Sequence, residues 1–287
     1  MNAKIQMVLS MLIFGTVGIF VKFIDMPTGY IAAVRGGVGA VVIALFMLVT
    51  RKKPDFKELF KKLPLILLSG AAMGFNWILL FESYRHTSVA VATTCYYMAP
   101  IFVVIASPFV LKEKLTVKNM LCVAVSLFGS ALVSGIIGAE APAFLGVVLA
   151  LGAAVLYATV MLTNKFLGNL SAYERTSAQL LVAGLTVLPY AVIVGGKSVF
   201  TPITVTCLSV VALVHTGLAY TLYFGAMKKL SAKTIAILSY IDPAWAIVLS
   251  ALILREKVSL AEIIGAVLIV GAALVSELKF KKVNLND

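Results

Sequence analysis

Charge is scarce in this chain, and so are the side chains on which most enzymes depend. Only 13% of the 287 residues are charged, with two histidines and three cysteines. The cysteines, Cys95, Cys122 and Cys207, lie in apolar stretches without a CxxC, HExxH or His/Cys cluster, so no metal site and no cofactor is expected. An intramembrane enzyme would need clustered acids or a Ser/His pair, and neither pattern occurs. A ring of like charges suited to a passive channel is also missing. Acidic residues number 12 against 24 basic ones. That excess invites a nucleic-acid reading, but the basic residues are spaced along the chain in a way that argues for another role.

What is abundant is apolar surface. Hydrophobic residues make up 61% and the mean hydropathy is +1.05, more than one globular core could bury. A bilayer core roughly 30 Å thick takes about 20 apolar residues per helix. Breaks at charge clusters, Pro and Gly then predict ten spans, near 4–24, 28–49, 63–82, 87–110, 118–135, 143–163, 173–194, 203–226, 231–253 and 260–277. The fold class is therefore all-α integral membrane, with the lipid bilayer as solvent. The first span is too long for a signal-peptide core and lacks a small-residue cleavage site, so it is kept as a helix.

With the amino terminus inside and the sides alternating, 18 basic residues fall on the cytoplasmic side. They include the group from Arg51 to Lys62 and the three from Lys112 to Lys118. The other side has only Lys22, Arg85, Lys197, Arg255 and Lys257, while Arg35 sits within a span. This asymmetry predicts both termini in the cytoplasm and no nucleic-acid partner.

Sliding the chain by 143 residues aligns SVAVATTCYYMAPIFVVIASPFVLKEKLT from Ser88 with SAKTIAILSYIDPAWAIVLSALILREKVS from Ser231. Pro100 meets Pro243, Tyr97 meets Tyr240, and Glu113-Lys114 meets Glu256-Lys257. Lys22 with Lys165, Tyr30 with Tyr173 and Trp77 with Tyr220 keep the same offset. The expectation is two fused five-helix units, 1–143 and 144–287. An odd number of helices per unit inverts the second relative to the first, and such inverted repeats place a solute site near the midplane where the units meet.

These features carry a resemblance. The small-residue first helix LIFGTVGIF, the stretch FNWILLFESYRHTSVAVATTCYYMAP and the repeated proline-to-glutamate spacing (Pro100 to Glu113, Pro243 to Glu256) resemble the EamA-type carriers of the drug/metabolite transporter superfamily. The resemblance covers essentially the whole chain. It implies a central cavity lined by the first, third, fourth, sixth, eighth and ninth helices, with the second and seventh outside them. The fifth and tenth would be peripheral, leaving the choice between monomer and homodimer open.

Polar residues at mid-depth are the candidate site. Asp242 lies about 16 Å into the ninth span, where a carboxylate is costliest. Pro243 cannot donate to the Ser239 carbonyl, nor Pro100 to that of Tyr96, so both are candidate hinges with a freed acceptor. A purely structural kink with a hydrogen-bonded Asp242 is the competing reading. His215 reaches a similar depth from the other side. Asn76, Trp77, Tyr97, Tyr157, Tyr220, Tyr240 and Trp245 complete the expected substrate-binding set, an aromatic lining able to hold apolar or cationic groups. Arg35 and Glu82 are expected at a common outer depth as a gate, against a local Glu82–Arg85 pair.

The sum predicts a secondary transporter in the plasma membrane that moves a small organic solute by alternating access. Amino acids or related metabolites, exported, with proton coupling at Asp242, are the first reading. Organic cations, amines or multiple drugs are the second, because a carboxylate among aromatics suits an ammonium group.

Overall fold

The computed structural model describes residues 2–277 except 53, 113–115, 135–140, 169, 228, 231–237 and 240. Among the described residues the only regular structure is helical. Seven helices among these residues are long and apolar enough to cross a membrane: α1 (Ala3–Lys22), α2 (Thr28–Val49), α3 (Leu63–His86), α4 (Val89–Val110), α6 (Phe144–Lys165), α7 (Ala172–Val194) and α8 (Pro202–Tyr223). Three with shorter apolar stretches complete the set, namely α5 (Val117–Ser134), α9 (Ile241–Ile253) and α10 (Leu260–Glu277). The ends agree with the expected spans to within a few residues, except in the third, which runs a turn further to His86. The start of the expected ninth span lies outside the described residues, as do Tyr240 and Glu113.

The helices are inside-out relative to a soluble bundle. Leu48, Val49, Phe109, Ile193, Val194, Leu252 and Val267 are exposed, whereas Arg35, Asn76, Gln179 and His215 are buried. Apolar exposure on that scale needs lipid around it. Inside, polar side chains satisfy one another: the Gln179 amide of α7 donates to Ser69 Oγ of α3 at 2.7 Å and to Asn164 Oδ1 of α6 at 3.0 Å. The Glu174 carboxylate accepts from the Asp55 backbone at 2.6 Å and closes a capping box with Ser171, which starts α7.

The most extensive helix pairings persist when the halves of the chain are exchanged. The α3–α6 contact has its counterpart in α8–α1, α3–α7 in α8–α2, and α1–α9 in α6–α4. The pairs α2–α7, α4–α9 and α5–α10 map onto themselves. The backbone repeats in finer detail too. Lys112 and Arg255, 143 positions apart, both take left-handed conformations, with φ of 56° and 54°.

Three of the long helices are interrupted. Helix α1 breaks at Thr16 between Ala3–Gly15 and Val17–Lys22. Helix α4 breaks at Tyr97 and Met98, so that Pro100 becomes the second residue of its later segment, Ala99–Val110, where a missing N–H costs no helical bond. In α8, residues Val210–Leu218 widen into a π-helix, which sequence periodicity did not anticipate. The His215 ring and the Thr216 hydroxyl each reach back five residues, to the carbonyls of Val210 and Val211.

Close approach of α2 and α7 depends on glycine. A Cβ at Gly36 would lie 2.6 Å from the Gly184 backbone nitrogen, whereas one at the adjacent Gly37 would meet nothing within 4 Å. Gly36→Ala should therefore force the helices apart and cost about 1–3 kcal/mol, while Gly37→Ala should be neutral or slightly stabilising. Thermal unfolding of the two variants in detergent tests this; equal melting temperatures would mean that the helix pair tolerates the shift.

Candidate functional site

A cavity of about 410 Å³ lies where the broken helices meet. Its size falls within the range of small-molecule sites. The α9 helix contributes Asp242, whose Oδ2 accepts from the Tyr97 hydroxyl of α4 at 2.6 Å. The same hydroxyl lies 3.5 Å from the Ser239 carbonyl, one turn before Pro243. The break in α4 thus presents the Tyr97 hydroxyl to Asp242 in the first turn of α9.

Aromatic rings form much of the wall. Tyr96 stacks on Tyr157 of α6 with centroids 5.2 Å apart and planes 19° from parallel, and Phe14 of α1 packs against Tyr220 and Tyr223 of α8. Asn76 of α3 donates to the Ala153 carbonyl and accepts from the Tyr96 hydroxyl at 3.3 Å, so its amide is fixed at both ends. Trp77 lies on the wall beneath the Arg35 guanidinium, 4.5 Å from the ring centroid.

Of the residues expected at the site, Asp242, Asn76, Trp77, Tyr97, Tyr157 and Tyr220 line this cavity. Tyr240 is outside the described residues. His215 is buried behind the wall: its Nε2 lies 2.7 Å from Thr16 Oγ1 at the break in α1, and its ring packs edge-on against Phe20. The Thr16 hydroxyl also donates to the Ile13 carbonyl at 2.7 Å, and His215 Nδ1 lies 3.2 Å from the Val210 carbonyl, so both groups are tied to backbone at a helix irregularity. Depth along α8 was readable for His215, but its direction around the widened π turn was not. Trp245 also stands outside the lining, packed near Gly15 of α1.

Arg35 and Glu82 have different neighbours. Arg35 Nε donates to Thr216 at 3.1 Å, and its side chain faces the cavity. Glu82 accepts from Thr28 at 3.2 Å and stands 3.4 Å from His86 Nε2. Arg85 donates to the Met26 carbonyl. The structure therefore forms neither the Arg35–Glu82 pair nor the local Glu82–Arg85 pair. Arg35 sits about 10 Å into α2, deep enough to reach the cavity. This also corrects the expectation that the second helix stays outside the cavity wall.

A different carboxylate ties the helices together at one end. After α9, the left-handed turn at Arg255 brings Glu256 back towards the bundle. Its Oε2 accepts from the Val89 N–H at the start of α4, at 3.0 Å, and from the Ser250 hydroxyl, while Oε1 lies 3.4 Å from Lys22 Nζ of α1. An ionised carboxylate suits a helix N-terminus. Lys22 also reaches the Thr87 carbonyl at 3.4 Å, so α1, α4 and α9 meet at this junction.

The sequence pattern of the EamA-like transporter family matches residues 1–135 and 144–277. A protein named as the uncharacterized transporter YxxF, from Bacillus subtilis (strain 168), is 31% identical over 271 residues, covering 93% of this chain and 87% of its own. An uncharacterized transporter from Archaeoglobus fulgidus is 25% identical over 275 residues, covering 94% of each chain. A solved crystal structure shares the fold, with a TM-score of 0.67 at 17% identity over 96% of each chain.

The junction at Glu256 separates two kinds of contribution. Glu256→Ala removes all three contacts and leaves the Val89 N–H without its acceptor, which should cost about 1.5–3 kcal/mol. Glu256→Gln keeps an acceptor and loses only a partly exposed ion pair, for which less than about 1 kcal/mol is expected. Melting temperatures of the purified variants check the order. Equal destabilisation by both would assign the junction to charge rather than to the helix cap.

Proposed function

The chain belongs to the EamA-like transporter family, and from that premise we propose that it is a secondary transporter carrying an amino acid or related metabolite out of the cell. It is a multi-pass membrane protein. We propose that ten transmembrane helices form two five-helix repeats, 1–143 and 144–287, the second inverted, and that the cavity between them opens to either side in turn. Support comes from the 143-residue offset, the odd helix number and the exchange of helix pairs between halves. The basic asymmetry supports a plasma-membrane orientation with both termini cytoplasmic.

The observation that carries the functional reading is the Tyr97–Asp242 hydrogen bond. It joins the broken α4 to the start of α9 across the cavity, at the place where a solute would sit. A carboxylate there can take a substrate ammonium group or exchange a proton during the cycle. The aromatic wall around it also favours a second reading, an organic cation or amine as the solute.

Two measurements test these points. Asp242→Asn keeps the shape of the side chain and removes its ionisation. It should fold normally and lose about tenfold or more of solute binding, with Asp242→Glu retaining part. Thermal-shift titration of the purified protein with amino acids and amines reads this out, and near-normal binding by the Asn variant would leave Asp242 as a packing residue. For orientation, a cysteine replacing the exposed Lys57 should resist a membrane-impermeant maleimide in intact cells and react after permeabilisation. The background is low because Cys95, Cys122 and Cys207 are buried. Ready labelling of intact cells would reverse the topology.

A further inference from the structure

A guanidinium buried in a membrane bundle needs a partner of opposite charge or a ligand that supplies one. Arg35 is only 6% exposed and lines the cavity. Three contacts position it: Nε donates to Thr216 at 3.1 Å, and the planar group lies 4.5 Å from the Trp77 centroid and 5.7 Å from that of Phe81. Thr216 can hold Nε because its own proton goes to the Val211 carbonyl, a bond provided by the π turn. Among the described residues, however, neither terminal nitrogen of Arg35 has a hydrogen-bond partner and no carboxylate pairs with it. The fork is held in place with its two bidentate donors unused.

Asp242 complements it. Its Oδ2 takes the Tyr97 proton, and Oδ1 has no partner among the described residues. The cavity lining thus holds one positive and one negative group, each anchored through one polar atom and unpartnered at another, and not bonded to each other. A plain amine would satisfy the carboxylate and add a second positive charge beside an unpaired guanidinium. A dianion would face Asp242. A molecule with one ammonium and one carboxylate satisfies both groups and leaves the cavity neutral. Arg is suited to the acid end because its planar fork matches a carboxylate bidentately.

We propose that Arg35 is a carboxylate-binding site and that, opposite Asp242, it makes the cavity select zwitterions over amines. The proposal rests on the transport-cavity reading above and decides between its two solute classes.

The test uses the purified full-length protein and matched probes. Each of the twenty common amino acids is compared with its amide, which keeps the ammonium and loses the acid. The best binders are also compared with their deaminated acids, such as 3-phenylpropionate for phenylalanine. At least one amino acid should bind, and its amide should bind about tenfold to a hundredfold more weakly. Arg35→Gln should abolish that ratio by weakening the amino acid while the amide binds as well as before or better, and Arg35→Lys should restore part of it. Thermal-shift titration gives the affinities, and size-exclusion profiles establish folding. Absence of binding by every zwitterion, or an amide that binds as well as its acid in the wild-type protein, overturns the proposal whether or not the Gln variant folds. Equal weakening of acid and amide by Arg35→Gln also overturns it, assigning Arg35 a structural role. Amine binding that requires Asp242 and ignores Arg35 would reject the zwitterion and leave the transport cavity intact as an amine site.

Discussion

Hydrocarbon offers a polar group nothing to bond to, so a polar side chain within the spans is stabilised by a partner inside the protein. Much of the architecture follows from that constraint. Gln179 gathers Ser69 and Asn164, Thr16 meets His215, and Thr216 meets Arg35. Each pairing joins different helices, so the bonds that satisfy polar groups also fix which helices are neighbours. The exposed surface, rich in Leu, Val, Ile and Phe, has no such demands.

The interruptions in α1, α4 and α8 belong to the same account. A widened helix releases backbone carbonyls, and side chains come to meet them, as His215 and Thr216 do at the π turn. The cavity is where those irregularities converge. Backbone that departs from the α-helix is tolerated at membrane depth only where it is buried in protein or lines a cavity.

The spans were legible because length and apolar composition suffice to define them in a bilayer. The Thr28–Val49 helix could be placed to the residue. Depth along a helix was legible too, which is how Asp242, Asn76, Trp77 and the tyrosines of the wall were found. Rotation about the helix axis was not. His215 and Trp245 had suitable depth but face other helices, and the π turn that redirects His215 has no local sequence signature. The direction of Arg35 was illegible for a related reason. Its neighbours Gly36 and Gly39 mark close packing, and the sequence does not say that α2 there lies against α7 and the π segment of α8, which leaves the arginine facing inward. The Glu256 junction was visible only as a repeated proline-to-glutamate spacing, without its partners.

The 143-residue offset separates what the chain holds twice from what it holds once. Paired neighbours and the left-handed turns at Lys112 and Arg255 occur in both halves, whereas the break in α1 and the π segment of α8 do not. The two cavity charges do not: the position matching Arg35 is Ala178, and the one matching Asp242 is Ala99. Duplicated parts constrain each other, since a change in one copy must still pack against its counterpart. Single-copy charges carry no such obligation. If those charges bind the solute as proposed, the scaffold can stay fixed while its chemical preference drifts by substitution at a few unpaired positions, which makes divergence in cargo cheap compared with divergence in shape.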